Sequence, residues 1–324
     1  MMTKARFAGL WVPAVIAGML ACPLAAQQKA SSPRIEVRLD DKAGRLRAMI
    51  DGKEAFAFHY AADLDLPYIV PRSPSGKAMT VVRTDPYPHH RSLWFADTVQ
   101  LAGKAKVSFY NALYSRVDKK DPNSPFGNRV RLVKLFPPSI GDDSATITAK
   151  LLWEMERQTP VLDEHRRMRL TPLGGGEYLL DLTFTLTAAY GDVAFVSDAT
   201  HYAWPYVRMT PAFSVQKGGT MTNSEGGVNQ KGTHGKLARW VDYTNTIDGV
   251  TEGLAVLVHS EKAEPSRWLT RDYGTFGPRR EDARSGKKFT LAKGQSLLQR
   301  VGILVHTGDV KTAKVADRYA SYIK

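Results

Sequence analysis

The chain has 324 residues, 45 of them Lys or Arg against 32 Asp or Glu, for a net charge of +13, and its one cysteine is Cys22. Beyond residue 26 there is no thiol, which excludes disulfides, thiolate nucleophiles and cysteine-ligated zinc from the rest of the chain. The basic residues are spread out rather than clustered, a solvated basic surface suited to anionic glycans or an anionic cell surface, and no nucleic-acid partner is expected.

In chain order, Lys4 and Arg6 precede an uncharged, mostly apolar run from Phe7 to Ala26, which ends in Pro23-Leu24-Ala25-Ala26 before Gln27-Gln28. This is the pattern of a signal peptide (1–26) cleaved after Ala26, and it predicts a periplasmic or secreted mature protein. An uncleaved anchor is the second reading, weakened by Pro13 and Pro23, and a lipoprotein signal at Cys22 the third. No later segment approaches transmembrane length. Strand-like runs then recur between short turns: Ile35–Leu39, Leu46–Ile50, Glu54–Phe58, Met79–Arg83, Arg129–Leu135, Ala145–Met155, His165–Leu170, Tyr178–Ala188, Ala238–Tyr243, Leu254–His259 and Leu297–His306. The alternation of Tyr178, Leu180, Leu182, Phe184 and Leu186 with Asp181, Thr183, Thr185 and Thr187 marks a strand with one wet face. The one helix expected is Val310–Ile323, with Asp309 as its N-cap. The pattern predicts an all-β fold: a single antiparallel β-sandwich over 27–324 with a C-terminal helix.

Pro88-His89-His90-Arg91-Ser92-Leu93-Trp94-Phe95 concentrates chemistry in eight residues. His89 and His90 can move protons near neutral pH, Arg91 can hold a carboxylate, and Trp94 offers a flat face to a sugar. An extended backbone turns His89 and Arg91 to one face, and His90, Ser92 and Trp94 to the other. Trp240 and Asp242, two apart on a strand, would share a face as platform and carboxylate. Glu225, in the loop Asn223-Ser224-Glu225-Gly226-Gly227, is a candidate general base with Asn223 as a substrate contact. Arg271, Asp272 and Tyr273 form a third polar cluster, Arg271 and Tyr273 to bind and Asp272 to position a histidine. The catalytic candidates are thus His89, His90, Glu225, Asp242 and Asp272, and the substrate-binding candidates Arg91, Trp94, Asn223, Trp240, Arg271 and Tyr273. Each has a structural alternative, such as a solvated loop Glu or an Arg–Asp pair. Adjacent histidines on a strand point apart, so a metal shared with His201 or His234 is not expected, nor is a cofactor. Serine-hydrolase elbows, phosphate loops, dinucleotide fingerprints and zinc-protease helices have no counterpart here.

Several stretches together resemble one family. They are Pro67-Tyr68-Ile69-Val70-Pro71 with Ser75-Gly76, the His-His-Arg run, Gly218-Gly219-Thr220, Thr222-Asn223-Ser224-Glu225-Gly226, Gly235 to Tyr243, and Arg271-Asp272-Tyr273-Gly274. The chain resembles the bacterial exported family labelled "methane oxygenase PmoA". The label is not literal, because the methane monooxygenase subunit of that name spans membranes. The resemblance implies carbohydrate chemistry and a sandwich of the galactose-mutarotase type. The chain departs from the family at Asp85-Pro86-Tyr87-Pro88, at Ala96-Asp97-Thr98-Val99-Gln100, and at Ala199-Thr200-His201-Tyr202-Ala203, where members carry Lys-Glu-Gly. The expected function is an exported enzyme moving protons with His and carboxylate on a small-molecule or oligosaccharide substrate, acidic sugars included, by epimerisation, elimination or hydrolysis. The alternative is a non-catalytic glycan-binding or surface module. His90, Arg91, Trp240, Asp242 and Asp272 are expected to line one cleft, and a carboxylate within reach of His89 or His90 would favour the enzyme.

Overall fold

The computed structural model describes residues 1–3, 9, 34–196, 202–260, 262, 264–279 and 289–324. Residues 10–33, which hold Cys22 and most of the apolar run read as a signal peptide, lie outside them, as does His201.

Period-two burial builds the long strands. In Glu177–Thr187 the residues Tyr178, Leu180, Leu182, Phe184 and Leu186 are buried while Thr183, Thr185 and Thr187 are half-exposed. This strand sits centrally in one antiparallel sheet, in the spatial order Arg129–Leu135, Ala145–Met155, Thr159–Gly174, Glu177–Thr187, Ser296–Thr307, Val250–Val258, Trp240–Ile247 and Thr220–Asn223. A second antiparallel sheet runs Ile35–Asp40, Arg45–Ile50, Lys53–His59, Tyr68–Pro71, Leu93–Trp94, Tyr206–Arg208, Thr275–Pro278, Ser266–Thr270 and Leu237–Ala238. Below they are the long sheet and the short-stranded sheet. Their facing sides interdigitate: Phe95 stacks on Phe184 at 4.4 Å and packs edge-on to Trp153, and Tyr243 meets Phe276 at 5.1 Å. The fold is an antiparallel β-sandwich, as the alternation predicts.

The C-terminal helix is shorter than expected, Val315–Tyr322. The Asp309 carboxylate accepts the amides of Lys311 and Thr312, which closes a turn, and Lys314 at φ +50° separates that turn from the helix. The helix lies on the outer face of the long sheet, where Val315 and Tyr319 pack with Trp240, Ala255, Leu257 and Leu304. No helix of the described residues is long and apolar enough to cross a membrane.

Candidate functional site

The outer face of the short-stranded sheet carries the concentration of polar and aromatic chemistry. Register sets it. Tyr68 and Tyr206 both pair with Trp94, Val207 pairs with Phe276 and Arg208 with Thr275. Leu93, Val207 and Phe276 face the sandwich core, so Trp94, Tyr206, Arg208 and Thr275 point outward. Gly277 lies between Tyr206 and Leu269, and a Cβ there would sit 2.1 Å from the Pro205 carbonyl oxygen, so only glycine permits this approach.

The His-His segment reaches this face from a separate hairpin, Val82–Thr84 with Tyr87–Arg91. Ser92 adopts φ +41°, and its hydroxyl donates to the Ile69 carbonyl, so the chain bends there before Leu93–Trp94 joins the sheet. Rings converge: Tyr87 stacks on His90 and on Tyr273, each at 5.0 Å, and His89 meets Tyr110 at 5.0 Å. Trp94 stacks on Tyr206 at 4.8 Å beneath His90. His89 Nδ1 shares a hydrogen bond with the Tyr114 hydroxyl at 3.2 Å, and His90 is bonded to the Tyr110 hydroxyl at 3.1 Å and to Thr275 at 3.4 Å. Neither histidine bonds a carboxylate of the described residues.

Burial first, then the Arg91 charge, holds the half-buried His89 below the ordinary imidazole value. His90 is 2% exposed, and burial, followed by His89, Arg208 and Arg91, lowers it to about 3. Both are therefore neutral near pH 7, the form that accepts a proton. The buried His90 also ties stability to pH. Below its unfolded value of about 6.5 the unfolded chain binds a proton that the folded chain refuses, so the contribution is full above that pH and declines as the pH falls. At about pH 5 the loss from His90 is on the order of 2 kcal/mol. Between pH 7 and 5 the melting temperature of the wild type should fall further than that of His90→Gln, and equal falls would show that His90 titrates normally.

The other end of the same face is cationic. Arg267 lies opposite Arg279, and Arg271 opposite Thr275, across the strand pair Ser266–Thr270 and Thr275–Pro278. Arg271 Nη1 donates to His234 Nδ1 at 2.8 Å, and Arg279 Nη2 approaches Nε2 at 3.3 Å. Burial and then these two guanidinium groups push His234 down to about 4, so it serves as a neutral acceptor. Arg208 is 3% exposed, its guanidinium lies 4.6 Å from the Tyr273 ring centroid, and it donates to the Tyr273 carbonyl. No carboxylate of the described residues forms a salt bridge with Arg208, Arg267, Arg271 or Arg279. The Nε atoms of Arg208 and Arg279 are buried without a partner. Arg208 is buried and Arg267, Arg271 and Arg279 are half-buried, so the face is cationic and can receive an anion.

Of the sequence candidates, His89, His90, Arg271 and Tyr273 meet here. The others do not, and the single-cleft expectation is corrected. Arg91 is closed into a buried pair with Asp65, Nη2 to Oδ2 at 2.6 Å, and also donates to the Pro88 carbonyl at 2.7 Å. Nothing remains of it for substrate. Trp94 is wholly buried beneath the rings and offers no open platform. Trp240 and Asp242 do share a face, but it is the outer face of the long sheet, across the whole core from His90. Trp240 packs under the C-terminal helix, and Asp242 is buried, accepting from Thr244 and bonded to His306 at 2.8 Å. Burial would depress His306, but the Asp242 charge and hydrogen bond outweigh it and raise the imidazole above its usual value. Asp272 accepts the Gln230 amide at 2.8 Å and holds the short helix Asn229–Thr233 rather than a histidine. Glu225 is an exposed partner of Arg239 at 2.9 Å, and Asn223 is buried, accepting the amides of Glu225 and Gly227. Both lie at the far edge strand of the long sheet. The described residues contain no group of three or more His, Cys, Asp or Glu side chains arranged to hold a metal.

Sequence reasoning missed Tyr87, Tyr110, Tyr114, Arg208, Arg267, Arg279 and the role of His234. The one available signal was Tyr-Val-Arg at 206–208, an arginine at strand spacing beside apolar residues.

A family profile matches residues 45–320, most of the chain. The chain belongs to the family of unknown function DUF6807. No curated protein matches it in sequence. Among solved structures, the GH36 α-galactosidase AgaB of Geobacillus stearothermophilus is similar with a TM-score of 0.48 at 7% identity, over 86% of this chain and 42% of that one. AgaA of the same organism, in complex with raffinose, gives 0.47 at 7% identity with the same coverage. Galactose 1-epimerase of Lactobacillus acidophilus NCFM gives 0.38 at 11% identity, over 86% of this DUF6807 chain and all of the epimerase. The chain spans less than half the length of the α-galactosidases, and the likeness is one of sheet arrangement alone.

Proposed function

We propose that this DUF6807 protein is a carbohydrate-active enzyme acting on an acidic sugar, at the outer face of the short-stranded sheet. One observation carries the reading: four arginines without a carboxylate partner among the described residues share that face with neutral His89 and His90 and a set of tyrosines. Arg271 and Arg279 receive the sugar carboxylate. The neutral His89 removes the proton on the carbon next to that carboxylate, where paired guanidinium charge stabilises the developing anion. The Tyr114 phenol orients the imidazole. His90, stacked on Tyr87 and bonded to Tyr110, is a positioning residue. Proton return to the same carbon inverts it, and loss of the substituent one carbon further gives elimination. Hydrolysis by paired carboxylates is not supported, since Asp65 is paired with Arg91 and Asp272 accepts the Gln230 amide. The apolar N-terminal run supports export to the periplasm or medium, where such polymers are met.

A glycan-binding module is the second reading, and it is favoured by the histidines' lack of a carboxylate partner among the described residues. The test is incubation of the purified protein with acidic polysaccharides and with neutral ones of matched linkage, products being followed by NMR. Epimerised or unsaturated product from acidic chains only is expected. Turnover of neutral chains alone would sink the reading, and saturable binding of acidic chains without product would establish the module instead.

A further inference from the structure

A second basic site lies on the other side of the same hairpin. Arg83 from the hairpin strand, Arg116 from the segment after Tyr114 and Arg157 from the turn after Met155 line one cleft of about 570 Å³, with Phe126 and Asn123 on its wall. That volume suits a sugar unit, since ligand pockets run from roughly 300 to 1,000 Å³. None of the three arginines forms a salt bridge with a described carboxylate, and Asp63 is the one acidic residue in the lining. The neighbouring acids are spent on the backbone: Asp118 accepts the Lys120 amide and Asp121 the Asn123 amide, each at 2.8 Å. Two guanidinium groups are fixed in place. Arg116 donates to the Ser124 carbonyl and lies 4.2 Å from the Phe126 ring centroid, and Arg157 donates to the Phe126 carbonyl at 3.3 Å. Arg83 and Arg157 both hold left-handed backbone, φ +55° and +58°, which non-glycine residues adopt only where the surroundings enforce it.

We infer that this cleft binds the oxyanion of a second sugar unit, a carboxylate or a sulfate ester, so that the ligand is a polyanionic oligosaccharide running from the Arg271 face past the hairpin. The inference rests on the acidic-sugar reading above. Guanidinium groups suit both oxyanions because their paired donors match two oxygens.

The test titrates the full protein with sodium sulfate and with sodium glucuronate at constant ionic strength, against sodium chloride, while NMR follows the side-chain Nε–H signals of the arginines. The signals of Arg83, Arg116 and Arg157 should shift together and saturate with one dissociation constant, and chloride should not reproduce the shifts. Saturation by glucuronate identifies a carboxylate ligand, and saturation by sulfate alone a sulfate ester. The double variant Arg83→Gln with Arg157→Gln, both exposed, should weaken saturation at least tenfold with an unchanged melting temperature, and Arg271→Gln should leave it intact. Linear shifts in the wild type, or equal shifts with chloride, would overturn the site. Saturation here without turnover of any acidic chain would remove the catalytic reading and leave this one standing.

Discussion

Replacing His89 with Gln should cut turnover roughly 10²-fold or more, because a positioned proton-transfer group contributes about 10²–10⁴. The melting temperature should hardly move, since His89 is half-buried and its hydrogen bond is to the exposed Tyr114. His90→Gln differs: it loses the Tyr110 bond and the Tyr87 stack, so it should lower both activity and stability. The pH profile separates catalysis from scaffolding. In the proposed mechanism His89 is the neutral base, and burial and Arg91 hold it below 6.5. The kcat/KM of the wild type should therefore stay level as the pH falls through 6.5 and decline only further down, and His89→Gln should lose that acid limb. A variant whose activity and melting temperature fall in step would show that His89 holds the fold and is no catalyst.

The largest effect on stability belongs to Arg91, for the reason that removes it from the binding site. Its side chain is 1% exposed and that of Asp65 2%. Replacing Arg91 with Met leaves the Asp65 carboxylate buried beside no cation, which costs about 3–5 kcal/mol, a fall in melting temperature on the order of 10 °C. Asp65→Asn should cost a similar amount by stranding the guanidinium. The double variant Arg91→Met with Asp65→Leu should recover much of the loss, because apolar replacement of a buried pair is often nearly neutral. Thermal unfolding of the three variants decides it. Losses that add in the double variant would mean that the two side chains act separately, and an Arg91→Met protein of wild-type stability would reopen a ligand role for Arg91.

The difference between His89 and Arg91 shows how far local pattern reaches. Both belong to one extended run, and period two alone puts them on one face. The bend at Ser92 and the hairpin with Val82–Thr84 instead carry Arg91 into the interior, while His89 stays at the rim. Asp65, 26 residues earlier, carries no sign in the sequence that it will meet Arg91.

What the sequence determined by itself was whatever depends on near neighbours. The alternation in Glu177–Thr187 dictated a strand with one buried face, and repeated runs of this kind dictated an antiparallel sandwich. A C-terminal helix was legible for the same reason, but not that it starts at Val315 rather than after Asp309. The density of chemistry around His89 and His90 and around Arg271 and Tyr273 was also local. Which sheet each cluster joins was decided only in three dimensions. Trp240 and Asp242 were read correctly as sharing a face, yet strand order sets that face under the C-terminal helix, behind the core. Arg208, Arg267, Arg271 and Arg279 are spread over some seventy residues and come together only because three short strands lie side by side in register. Sheet pairing is a long-range choice made by packing, and a single strand's pattern says which side is buried without saying what it is buried against.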